Sequence, residues 1–214
     1  MKVIERKTTI CGETHFVGVP CALIRFAGCS IRCTWCDTTY AYEGGEEISP
    51  DSLMQWVEGT GLKLVLLTGG EPLLQNDLPY LALKLAERHL VLVETSGTQD
   101  IRGLAPPIIR SVDIKCPGSG QEQHNFWQNM EDLRAGDAVK LVLASRQDYE
   151  YGKKVISRYR LGWPIVVLLS SACPFLAAEE LAHWIIEDKL ADVRLNIQAH
   201  RLLWPKLENV PQPI

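Results

Sequence analysis

This 214-residue chain lacks any run of 18 apolar residues, so no membrane-spanning helix is expected. Met1 to Thr9 is charged and carries no apolar secretory core, which leaves the cytoplasm as the expected compartment. Basic excess is also missing. Lys and Arg total 22 against 26 Asp and Glu, a formal charge of -4, and no basic stripe is present. Neither tRNA nor any other nucleic acid is therefore an expected partner. The seven cysteines are too few for a disulfide scaffold, and their odd number fits a reducing compartment and a metal better. Repeats and low-complexity tracts are absent. What is present, 46% hydrophobic and 22% charged residues, is ordinary for a globular protein, and the length suits a single domain over 1–214.

Short apolar runs alternate with helical patterns. Strands are predicted over 19–26, 62–67, 90–93, 108–114, 138–143, 164–169 and 193–197. Helices are predicted over 50–57, from Asn76 or Asp77 onward, and over 125–134, 148–160 and 177–190, with a helical turn or two over 200–207. Ser49 is placed to cap the first helix, with Pro50 in its first turn. Leu78, Leu81, Ala82 and Leu85 recur at i, i+3, i+4 and i+7 and give the second helix one buried face. The nearly continuous apolar strands point to an α/β fold on a mostly parallel sheet with both faces covered. A full eight-stranded barrel takes roughly 250 residues, so a partial (β/α) barrel is expected. Its open edge needs cover from a helix, from the C-terminal segment 198–214 or from a partner. The Gly-rich and polar stretches follow the strands, and in such folds function sits at the strands' C-terminal ends.

The most informative of these stretches is the loop over 28–45, which holds Cys29, Cys33 and Cys36 in a CxxxCxxC pattern. Thiolates suit zinc or iron–sulfur clusters. A structural zinc site wants four ligands, often from a second CxxC pair, and none is present. Three thiolates on a four-iron cluster leave one iron open to bind something else, which points to chemistry rather than electron storage. A zinc-stabilised binding module remains an alternative, with His200 or Cys116 as the fourth ligand. Gly69-Gly70-Glu71-Pro72 follows the next strand; taken alone it reads as a tight turn.

CxxxCxxC after one strand and Gly-Gly-Glu-Pro after the next resemble the radical S-adenosylmethionine enzymes. The resemblance narrows along the chain. Gly12-Glu13, Gly18 and Pro20 are similar to the N-terminal signature of the 7-carboxy-7-deazaguanine synthase family, Gln-Gly-Glu-Gly followed by three residues and Gly-x-Pro. The likeness continues through Arg25, Trp35-Cys36-Asp37-Thr38, Tyr40, Glu94-Thr95-Ser96-Gly97-Thr98, Ile114-Lys115-Cys116-Pro117, Gln198-Ala199-His200 and Leu203-Trp204. Two positions depart from the signature: Cys11 stands for Gln and Thr14 for Gly.

The resemblance implies a lyase that uses a [4Fe–4S] cluster, S-adenosylmethionine in a catalytic role, and Mg2+. The substrate would be 6-carboxy-5,6,7,8-tetrahydropterin, and the reaction a radical ring contraction with loss of ammonia on the route to queuosine and related 7-deazapurines. It also implies a homodimer and an external electron donor such as flavodoxin or ferredoxin. The cofactor carries the chemistry, so no catalytic side chain is assigned. The cluster would sit on Cys29, Cys33 and Cys36. Gly69, Gly70, Glu71, Ser96, Lys115 and Gln198 would hold the adenosylmethionine, with Glu71 either orienting the site or meeting the amino group. Cys11, Gly12, Glu13, Arg25 and His200 would face the pterin. Arg25 can fork onto a carboxylate, or simply form a salt bridge at the strand end. Thr38 would supply an oxygen to magnesium, with Asp37 either a ligand or a neighbour to one. Another radical enzyme, such as a glycyl-radical activase, would share the first two motifs but need a protein partner.

Overall fold

The computed structural model describes residues 1–204. The predicted segment over 205–207 and the Pro-rich end lie outside them. Nine strands form one sheet: β1 (Lys2–Ile10), β2 (Pro20–Phe26), β3 (Glu46–Glu47), β4 (Leu64–Gly69), β5 (Leu90–Thr95), β6 (Ile109–Ile114), β7 (Ala138–Leu143), β8 (Val166–Ser171) and β9 (Val193–Asn196). Their order is β3-β1-β2-β4-β5-β6-β7-β8-β9. From β2 to β9 every neighbour is parallel, while β1 pairs antiparallel with both β2 and β3. The helices are α1 (Pro50–Thr60), α2 (Leu78–Leu85), α3 (Arg146–Tyr159), α4 (Ala178–Glu187) and α5 (Ala199–Leu203). The result is the partial barrel expected. No helix among the described residues is long and apolar enough to cross a membrane.

Local chemistry accounts for the helix ends. The Ser49 side chain accepts a hydrogen bond from the Ser52 N–H, Pro50 opens α1, and Gly61 closes it with φ 66°. All four residues of the α2 stripe are buried. One strand is not among those predicted, and one reading needs correction. The charged N-terminal stretch forms β1, in which the acidic residue Glu5 is buried between Lys7 and Arg25. The segment over 125–134 is not an α-helix but short 3-10 turns, Glu122–His124 and Trp127–Met130. There the Asn125 side chain hydrogen-bonds both the N–H and the C=O of Lys115, and Asn129 accepts from the Ile101 N–H. These side chains serve neighbouring loops in place of a helical ladder.

Alternation along the strands sorts the two faces. Ala22, Ile24 and Phe26 of β2, with Val65, Leu67, Val91 and Val93, pack under α1 and α2. Val139, Leu141, Leu143, Val167 and Leu169 pack with residues of α3 and α4. The opposite face is apolar only at the strand starts, where Cys11, Cys21, Leu23, Leu64, Leu66 and Leu92 cluster. Towards the C-terminal ends that inner face turns polar, with Arg25, Thr68, Glu94, Asp113, Lys140 and Ser170 lining a cavity. Neighbouring strands hold these residues level, Arg25 opposite Thr68 and Asp113 opposite Lys140.

The barrel does not close by strand pairing. The loop between β1 and β2 instead reaches the end of β9, where the Thr14 N–H donates to Asn196 Oδ1 at 3.0 Å and the Ala199 N–H to the Gly12 carbonyl at 2.7 Å. On the outer face, Arg110 of β6 is 1% exposed and ion-paired with Asp137 at the start of β7. Truncating one member of a buried pair strands the other charge. Asp137→Ala is expected to cost about 3–5 kcal/mol, read as a lower urea midpoint with an unchanged slope.

Candidate active site

A cavity of about 290 Å³ opens at the C-terminal ends of the strands. Its wall contains Cys29, Cys33 and Cys36, the pair Gly69 and Gly70, and Ser96 and Lys115. It also contains Gly12, Glu13, Arg25, Asp37, Thr38, Gln198, His200 and Trp204. The structure thus brings into one space nearly all the residues singled out in the sequence. Cys11 and Glu71 are the exceptions.

The cysteine loop follows β2 directly. Gly28 takes φ 97°, and its N–H donates to the Ala41 carbonyl. The turn after β4 packs on this loop: a Cβ on Gly70 would stand 2.2 Å from the Gly28 carbonyl oxygen, and one on Gly69 2.4 Å from that of Phe26. The glycines therefore permit backbone to approach backbone, rather than a ligand alone. Glu71, the third residue of that turn, is fully buried. Its carboxylate accepts from Thr95 Oγ1, the Ser96 N–H, Ser96 Oγ and the Leu73 N–H. Burial pushes the Glu71 carboxyl up, against the pull of these hydrogen bonds. These contacts tie the turn after β4 to the turn after β5.

The cavity floor is ionic. Lys140 Nζ lies 3.1 Å from Glu13 and 3.3 Å from Asp113, and Lys115 Nζ is 2.9 Å from the other Asp113 oxygen. Burial alone would push Lys140 down, but Asp113, Glu13 and Glu94 hold its ammonium charged. Glu94 is the surplus acid. One oxygen accepts from Thr68 Oγ1, and the other has no hydrogen-bond partner. Burial and the charge of Glu13 push the Glu94 carboxyl up to about 8, against Lys140. Thr68, Asp113 and Lys140 were not singled out from the sequence, and Glu94 only as part of a motif, with no role given to it. A lone polar residue inside an apolar strand, as in Leu90–Thr95 and Ala138–Leu143, is the signal that marks them.

At the opposite rim Arg25 donates through Nε to Glu5 at 3.0 Å and also lines the cavity, so both readings of it meet in one residue. Thr38 Oγ1 donates to Asp37 Oδ1 at 2.9 Å, and the other Asp37 oxygen accepts from Gln198 and Arg201. Burial pushes the Asp37 carboxyl up, but Thr38, Arg201 and Arg25 outweigh it and hold it below its ordinary range. Gln198 therefore reaches Asp37 rather than standing alone. A Cβ on Gly12 would strike the His200 ring at 2.2 Å, so glycine there lets α5 close on the loop.

Cys11 is fully buried and lies behind the wall, donating to the Glu13 carbonyl at 3.1 Å. The expectation that its side chain faces the substrate is corrected accordingly. Cys116 is likewise fully buried and away from the cavity, and burial pushes its thiol up. It is not placed to complete a zinc tetrahedron. Among the described residues, no three or more His, Cys, Asp or Glu side chains are gathered into a metal-holding group. The loop offers three soft donors on a cavity wall that Cys173 and His200 also line, and three loop thiolates are a donor set that fits a cluster with one open iron.

This partial barrel, with a three-cysteine loop after one strand and a Gly-Gly turn packed on it from the next, has the architecture of a radical S-adenosylmethionine enzyme. The sequence profile of the Radical SAM superfamily matches residues 23–112. The chain is 32% identical to the 7-carboxy-7-deazaguanine synthase of Koribacter versatilis (strain Ellin345), over 95% of this chain and 97% of that one. It is 36% identical to the synthase of the same name from Chlorobaculum tepidum, over 95% and 94%. The chain belongs to the 7-carboxy-7-deazaguanine synthase family of that superfamily. The crystal structure of QueE from Escherichia coli shares the fold, with a TM-score of 0.75 at 24% identity over 93% of this chain and 94% of that one.

The Glu94 carboxyl predicts a pH dependence. Its native value near 8 exceeds that of an unfolded glutamate, so between these values the native state holds the extra proton. Stability therefore falls as pH rises from about 4.5 to 8. Glu94→Gln is expected to flatten that decline, measured as thermal midpoints across the range; an unchanged slope refutes the assignment.

Proposed function

We propose that this enzyme converts 6-carboxy-5,6,7,8-tetrahydropterin to 7-carboxy-7-deazaguanine by radical ring contraction with loss of ammonia. The observation that carries this reading is the shared cavity, whose wall joins the three cysteines to a carboxylate-rich floor and an arginine. Cys29, Cys33 and Cys36 would hold a [4Fe–4S] cluster, with Gly69, Gly70, Ser96 and Lys115 around its S-adenosylmethionine. When bound, these groups supply the hydrogen-abstracting radical.

The chain's own residues bind and orient. Glu13, held by Lys140, is a fixed anion that accepts from the N–H edge of a pterin. Glu94, neutral at pH 7, both donates and accepts beside it. Arg25, anchored through Nε, keeps its remaining donors for the substrate carboxylate. Thr38 and the ionised Asp37 supply hard oxygens that suit Mg2+. Gln198 and Arg201 brace Asp37, and His200 closes the rim over Gly12. The working form would be a homodimer drawing electrons from flavodoxin or ferredoxin.

The test is anaerobic reconstitution with iron and sulfide, followed by mass spectrometry of a reaction with 6-carboxytetrahydropterin, S-adenosylmethionine and magnesium. A product with the mass of 7-carboxy-7-deazaguanine is expected. If 5′-deoxyadenosine forms without that product, the radical chemistry stands and the substrate is wrong. Arg25→Ala is expected to weaken pterin binding by about tenfold or more, the weight of a charged hydrogen bond, with iron content unchanged. Turnover of chelator-treated enzyme should rise on adding magnesium; full activity in metal-free buffer argues against the Thr38 role.

A further inference from the structure

The two positions at which this chain departs from its family's N-terminal signature, Cys11 and Thr14, touch each other. They flank Gly12-Glu13, and both side chains are buried behind the cavity wall, Cys11 fully and Thr14 at 2% exposure. Their polar groups run in one direction. The Phe16 N–H donates to Thr14 Oγ1 at 3.2 Å. The Cys11 thiol gives its single proton to the Glu13 carbonyl at 3.1 Å, which leaves the Thr14 hydroxyl, 3.7 Å from Cys11 Sγ, as the donor of that pair; Cys21 is a further partner of the sulfur. Thr14 adopts φ 70°, a left-handed conformation unusual for a β-branched residue. The surroundings hold it there: its N–H donates to Asn196 Oδ1, and Asn196 Nδ2 donates to Ser170 Oγ at 2.8 Å.

We propose that Cys11 and Thr14 form a buried clasp that fixes the backbone on both sides of Glu13, so that its carboxylate meets Lys140 at the cavity floor. Neither side chain touches the cavity; both are positioning residues acting through Glu13. Each compensates for the other. A threonine in a left-handed turn needs a buried acceptor for its hydroxyl proton, and the Cys11 sulfur supplies one. The Thr14 hydroxyl in turn gives the buried Cys11 sulfur a polar neighbour at 3.7 Å, which a glycine at that position would not supply.

The role assigned to Glu13 rests on the pterin reading, so the experiment carries one readout that needs no substrate. Thr14→Val keeps the shape and removes the hydroxyl, Thr14→Ser restores it, and Cys11→Ala removes the acceptor. Thr14→Val should raise the pterin KM by about tenfold, as for one lost hydrogen bond, with kcat and iron content little changed. Thr14→Ser should recover the wild-type KM. The Cys11→Ala/Thr14→Val double variant should be no worse than either single one, since both break the same relay. Amide hydrogen exchange over residues 12–16 should quicken in both single variants. Unaltered KM and exchange in Thr14→Val overturn the proposal, as do single effects that multiply in the double variant. If wild-type enzyme leaves the pterin untouched, the substrate reading has failed, and exchange over 12–16 alone decides the clasp.

Discussion

Charges sealed inside a sheet persist only where neighbours balance them, because an unpaired buried ion costs several kcal/mol. The inner rim of this barrel is built under that constraint. Outer positions of the parallel strands are taken by apolar residues beneath the helices, and inner positions near the strand starts are apolar too. Apart from the Arg110–Asp137 pair on the outer face, the buried charges of the parallel strands gather at the inner C-terminal rim, and there they must satisfy one another. Lys140 bridges Glu13 and Asp113, Lys115 takes the second Asp113 oxygen, and Glu5 holds Arg25. Against two lysines the floor sets three carboxyls, so one of them, Glu94, is left protonated near neutrality.

The same accounting divides the cavity into two halves with different mechanics. On the side of β2, β4 and β5, the cysteine loop, the Gly-Gly turn and the Ser96 turn are locked by backbone contact and by the buried Glu71 carboxylate. On the side of β1, β7 and β9, Glu13 and His200 are held by ion pairs and loop hydrogen bonds that cross long stretches of sequence. The first half suits a rigid cofactor cradle, the second a surface adapted to one substrate.

Much of this architecture was legible in the residues. Strand β7 falls where its apolar run places it, and the α2 stripe is buried as its spacing demands. The motif residues converge because parallel strands bring all their C-terminal ends to one side. What stayed hidden depended on pairing across the chain. No strand is predicted over the charged residues of β1, whose Glu5 is accommodated only because Arg25 and Lys7 meet it. Asn125 and Asn129 are compatible with a helix until their amides are seen to be engaged by Lys115 and Ile101. Glu71 reads either as orienting the site or as meeting a ligand, and only the fold reveals that its carboxylate accepts from Thr95 and Ser96. Cys11, in a segment that otherwise lines the cavity, is kept from it because its side chain packs with Cys21, Leu23 and Leu64 in the apolar layer at the strand starts.

The incomplete ring means that the wall is not held alike all round. Parting β7 from β8 would tear a register of six residue pairs. Among the described residues, the β1–β2 loop meets the end of β9 without strand pairing, through hydrogen bonds of Gly12 and Thr14 with Ala199 and Asn196 and the packing of Gly12 on His200. The seam is therefore the one line around the described wall that is held by loop contacts rather than by a strand ladder, and it runs beside Gly12, Glu13 and His200 on the cavity rim.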